Sequence, residues 1–129
     1  MERLYGATHL LATSEAIATA RRFGLEVGTV LDIVNGSSGR SWSSEFKWPT
    51  FIVPETYDSG FSLRLMVKDV RIAVELMTAN GAERTLAEST LGAWSRAAQA
   101  LPEDADHTDI ARWVEAARTA EEVTPAAPA

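Results

Sequence analysis

The chain has 129 residues, with 18 acidic side chains against 12 basic ones for a net charge of −6, and no cysteine; that length suits one hydrophobic core rather than two. The composition excludes a disulfide framework, a thiolate zinc site and a cysteine nucleophile, and with only His9 and His107 any metal would lean on carboxylates. The acidic balance argues against nucleic acid as a partner, and no apolar run approaches the ~18 residues of a membrane span.

The first residues do not form a secretory signal, because Thr8, His9, Thr13, Ser14 and Glu15 interrupt any apolar core, so a soluble cytoplasmic protein is expected. From Glu2 to Phe23 there is no proline. Leu4, Ala7, Leu11, Ser14 and Ala18 recur at helical spacing, predicting a long central helix with a small apolar face, stopped at Gly24. Glu26 to Val34 places Val27, Val30, Leu31 and Val34 on one face of a short second helix, and Asn35-Gly36 follows as a pair tolerant of positive φ. Residues 35–39 read as a loop, Arg40 to Trp48 as irregular turns, and Thr50 to Val53, between Pro49 and Pro54, as extended loop with no strand to pair with.

Leu63 to Asn80 carries the strongest pattern. Leu63, Met66, Val67, Val70, Ala73, Val74 and Met77 form one apolar stripe and Leu65, Ile72 and Leu76 a second, so the helix is expected to be buried on two sides. A polar wedge of Arg64, Lys68, Arg71 and Glu75 lies between them, and Gly81 marks the end. Thr85-Leu86-Ala87-Glu88 fits a capping box opening a helix that runs to Pro102. Asp106-His107-Thr108-Asp109 is a second capping sequence, opening a final short helix lined by Ile110, Trp113, Val114 and Ala117. The class is therefore all-α, with five or six helices over residues 1–122 and a Pro/Ala tail over 123–129 that is expected to be disordered.

Ser37, Ser38 and Ser41 lack the base and shaped turn of a nucleophile, and the glycines of Gly36-Ser37-Ser38-Gly39 follow a helix rather than a strand. His9 is best read as a packed helical side chain and His107 as part of a cap. Glu103, Asp104, Asp106 and Asp109 suit a solvated helix entry and lack the turn of a calcium loop. No catalytic residue is assigned. Lys68, flanked by Arg64 and Arg71, could make a positive site in a negative protein; the i,i+4 pair Arg71 and Glu75 offers a plain surface ion pair instead.

Lys68-Asp69-Val70-Arg71-Ile72-Ala73-Val74-Glu75 resembles the Lys-Asp-Leu-x-x-Ala-x-Asp motif of the β-hydroxyacid dehydrogenases, the family of 3-hydroxyisobutyrate dehydrogenase. Ala12-Thr13-Ser14-Glu15-Ala16, Phe23-Gly24-Leu25, Asn35 to Trp42 and Ser59-Gly60-Phe61 resemble, in order and spacing, the helical C-terminal domain of that family, over about positions 4 to 118. The resemblance implies that Phe61, Lys68 and Asp69 face the nicotinamide end of NAD or NADP. It also shows what is missing: the Gly-rich dinucleotide fingerprint, the Ser-Gly-Gly substrate loop and the catalytic Lys are not in these residues, and the family's Asn pair falls on Glu2 and Arg3. The chain alone is accordingly expected to be inactive, with NAD or NADP bound only alongside a Rossmann partner and no metal required. A split or truncated enzyme half is the first expectation and a noncatalytic dimerisation or small-acid-binding module the alternative. A homodimer is expected in either case.

Overall fold

The computed structural model describes residues 1–123; the tail expected to be disordered lies almost wholly outside them. Among the described residues there are helices and one isolated bridge, between Ser62 and Asp106, and no strand. The α-helices are α1 (Glu2–Arg22), α2 (Val27–Asn35), α3 (Leu63–Ala79), α4 (Thr85–Ala100) and α5 (Ile110–Val123). A π-helical segment, Ser43–Ile52, and a 3-10 turn, His107–Asp109, complete the path. The all-α class is thus observed, and no described helix is long and apolar enough to cross a membrane.

Helix α1 is central, and three of its five buried residues are small. Ala7, Leu10, Ser14, Ile17 and Ala18 are buried, and α3, α4 and α5 all pack against it. The small face identified from the sequence is therefore covered by the chain's own helices. Trp94 of α4 is fully buried and donates its indole N–H to the Ala7 carbonyl at 3.1 Å, fixing α4 against the N-terminal third of α1. Gly24, with φ of 81°, turns the chain after α1 as expected.

Several local expectations are corrected. The stretch read as irregular turns and extended loop is one π-helical segment with Pro49 inside it, burying Ser43, Ser44, Trp48 and Ile52. Gly36 has φ of −82°, so no left-handed residue is used there; its N–H instead closes α2 onto the Asp32 carbonyl. Thr85 is not the N-cap of α4. Arg84 holds that position, the Glu83 carboxylate accepts from the backbone N–H of Arg84 and of Thr85, and Glu88 pairs with the Arg84 side chain. The last helix is 14 residues long rather than short. Helix α3 is buried on one side only: Leu63, Met66, Val67, Val70 and Ala73 enter the core, whereas Leu65, Ile72 and Leu76 stand about half exposed. Its true start signal is Ser62, whose side chain accepts from the Leu65 N–H.

Candidate functional site

Phe61 precedes the first turn of α3 and is fixed by a polar clamp on the 3-10 turn. The Asp106 carboxylate accepts from Ser59 Oγ at 2.8 and 2.9 Å, from the Gly60 N–H at 3.1 Å, from the Thr108 N–H at 3.0 Å and from Thr108 Oγ1. Asp109 closes the capping box by accepting from the Asp106 N–H, and Arg112 donates to its other oxygen. The Phe61 carbonyl accepts from the His107 N–H at 2.8 Å and lies 3.1 Å from His107 Nδ1. A carbonyl only accepts, so Nδ1 carries the proton and Nε2 is left bare, buried and without a partner. Burial and the nearby charge of Lys47 push the His107 pKa down to about 4, against the pull of the Phe61 carbonyl and Asp106, so the imidazole is neutral at pH 7. Desolvation raises the Asp106 pKa, but the hydrogen bonds from Thr108 and Ser59 outweigh it and leave the value below the ordinary one.

On the open side of this clamp, the Arg3 guanidinium of α1 lies over the Phe61 ring at 4.3 Å from its centroid, and the His107 ring meets Phe61 edge-on at 5.6 Å. Arg3 also reaches Asp69 of α3 at 3.6 Å. Two of the residues singled out from the sequence, Phe61 and Asp69, are thus brought together through Arg3. Lys68 is not part of that contact; it stands exposed on α3, making no hydrogen bond or ion pair among the described residues. Its presumed companions face α4, where Arg64 donates to the Ala98 carbonyl at 3.4 Å and Arg71 lines the same groove. The Arg71–Glu75 ion pair is not formed.

Arg3 and Lys47 were not assigned a role from the sequence. The only signal for Arg3 was its departure from the family's Asn pair, and Lys47 lay in a short mixed stretch before Pro49 that reads as irregular turns. His9, read as packed, is exposed with its ring against Tyr5, while His107 is buried within the cap as expected. Ser41 and Ser44 exchange hydrogen bonds with each other's backbone, which agrees with the loop reading of Ser41. Among the described residues, no group of three or more His, Asp or Glu side chains is placed to hold a metal.

The all-helical fold is of the C-terminal type found in solved 3-hydroxyisobutyrate dehydrogenases. Residues 2–114 match the family described as NAD-binding of NADP-dependent 3-hydroxyisobutyrate dehydrogenase. The chain belongs to that family. Among curated relatives, a probable mitochondrial 3-hydroxyisobutyrate dehydrogenase of Arabidopsis thaliana is 38% identical over 73 residues, covering 52% of this chain and 21% of the relative. A probable 3-hydroxyisobutyrate dehydrogenase of Mycobacterium bovis is 27% identical over 110 residues, covering 81% of this chain and 35% of the relative. The structure of Mycobacterium tuberculosis 3-hydroxyisobutyrate dehydrogenase with L-serine shares the fold, with a TM-score of 0.79 at 24% identity over 88% of this chain and 40% of that one. The chain therefore spans about a fifth to two fifths of the length of these relatives.

Proposed function

We propose that this domain is the nicotinamide-facing half of a β-hydroxyacid dehydrogenase and works against a Rossmann domain carried on the same or a separate polypeptide. The observation that carries the reading is the placement of Phe61, held by the Asp106–His107 clamp at the head of the exposed stripe Leu65, Ile72 and Leu76 with Lys68 beside it. The residues fit the nicotinamide end of the dinucleotide: Phe61 offers an apolar wall, Lys68 a free charge for a carboxylate or phosphate, and Asp69 steers Arg3. The cofactor, when bound, supplies the hydride chemistry. The exposed stripe on α3 is offered as the seat for the Rossmann domain because Leu65, Ile72 and Leu76 stand half exposed on one face, with Asp69 among them.

The 129-residue polypeptide should be inactive alone. The adenine, ribose and pyrophosphate contacts belong to the other domain, so NAD or NADP affinity should be millimolar or undetectable, about 4 kcal/mol or more weaker than a micromolar site. The test assays the polypeptide with NAD and NADP on a panel of β-hydroxyacids, then adds a separately expressed Rossmann domain from a full-length relative. Activity on mixing, lost in Lys68→Ala, is the expected result; turnover without the added domain overturns the reading. A second reading, a noncatalytic dimerisation or small-acid-binding module, is favoured by one observation, the Arg3 guanidinium lying on the Phe61 face that a nicotinamide would use. Silence in every mixture, with a homodimer in sedimentation, would move the weight to it.

A further inference from the structure

The chain has two lysines, and their settings differ. Lys68 stands exposed on α3, whereas Lys47 is half-buried and its ammonium passes over α1 at Gly6, where a Cβ would meet Nζ at 3.9 Å. It lines a cleft of about 280 Å³ that has Met66 as a buried floor and Tyr5, His9 and Trp42 as walls. Glu2 and Arg3 line the same cleft, and Arg3 is engaged with Asp69. Among the described residues Lys47 itself makes no hydrogen bond or ion pair, and Glu45 on its own segment pairs with Arg40 instead. Burial is the largest influence on its pKa and the charge of Arg3 the next. Together they outweigh Glu2 and Asp106 and hold the amine below the ordinary lysine value, while His107 on the 3-10 turn is neutral.

We propose that Lys47 is a carbonyl-trapping amine, forming a reversible imine with a small aldehyde that enters this cleft. An ammonium has no lone pair to attack with, and a lysine locked in an ion pair is held in that form. Lys47 has no carboxylate within ion-pair distance to hold its proton, and it packs where water is partly excluded. The neutral Nζ attacks the aldehyde carbon to form a C–N bond, and one amine proton passes to the carbonyl oxygen. The C–O bond of that carbinolamine then breaks, and the hydroxyl leaves with the second amine proton as water. No oxidant or reductant is consumed. An aldehyde suits the cleft better than an acyl donor because it brings no leaving group that so small a space would have to hold. The proposal goes beyond the dehydrogenase reading and does not rest on it, since the step needs neither cofactor nor a second domain.

The second lysine makes the experiment internally controlled. The 129-residue polypeptide is incubated at pH 7 with propanal and cyanoborohydride, which reduces an imine to a stable propylamine, and peptide mass mapping compares Lys47 with Lys68. Lys47 should be propylated roughly fivefold faster, the excess shrinking as pH rises through the ordinary lysine range. In urea the two should react alike. Glu2→Gln, which removes an opposing carboxylate, should enlarge the excess and Arg3→Gln should reduce it, with the Trp94 indole NMR signal reporting that each variant is folded. Equal rates at pH 7, an excess that survives in urea, or variants that do not move it in opposite directions overturns the proposal. Activity on mixing with a Rossmann domain is read separately from all of these outcomes, so either reading can fall without the other.

Discussion

Leu63 and Leu65 sit two residues apart on α3, and the first is 1% exposed where the second is 47% exposed. The two faces of this helix carry the same kinds of side chain and have opposite surroundings. The inner face is fastened at its start as well as packed along its length: the Leu63 N–H donates to the Ala105 carbonyl, Ser62 bridges to Asp106, and the Asp106 carboxylate is fully satisfied. The outer face has Leu65, Ile72 and Leu76 about half exposed and, among the described residues, Lys68 with no hydrogen bond or ion pair. Apolarity alone does not distinguish a residue that holds the fold from one that waits for another surface; the polar fastening beside it does.

The comparison can be broken most directly by truncating both leucines. Leu63→Ala should cost about 2–4 kcal/mol of unfolding free energy in urea, and Leu65→Ala under about 0.5 kcal/mol. Equal losses would mean that the outer stripe is covered in solution. Acid should loosen the fastening next. The His107 pKa of about 4 lies below the ~6.5 of an unfolded chain, so the unfolded state takes up its proton first as pH falls. The stability this group contributes is complete above pH ~6.5 and is lost between there and pH ~4, roughly 2–3 kcal/mol by denaturant midpoints. Asp106, also lowered, adds a further loss in the same direction at more acid pH. The smallest effect on folding belongs to the outer face: Ile72→Gln should leave stability within about 0.5 kcal/mol while weakening capture of a Rossmann domain about tenfold by calorimetry.

The same contrast explains what could be read from the residues. The α-helical spans and the Gly24 and Gly81 stops were legible, because period and punctuation are local properties; the glycines have φ of 81° and 66°. The burial of α3 on two sides was not, since hydropathy reports what could be covered and not what arrives to cover it. The capping box at Thr85 failed because Glu83, two residues earlier, takes the Thr85 N–H and hydroxyl, while the Glu88 N–H donates to the Arg84 carbonyl. In the π-helical segment Pro49 reads as a break, although the buried positions Ser44, Trp48 and Ile52 recur every four residues across it. That break hid Lys47. Phe61 and Asp69 were found through the resemblance, but the Arg3 side chain that joins them was not, because its contacts span from the first turn of the chain to α3.

The hydrogen bond from Trp94 to the Ala7 carbonyl joins positions 87 residues apart, and α5 closes over the same first helix. On a ribosome, α1 can acquire its cover only when the helices that follow it have emerged. The domain should therefore gain its tertiary structure late and in one cooperative step, with α1 dependent until then on its weak intrinsic helicity.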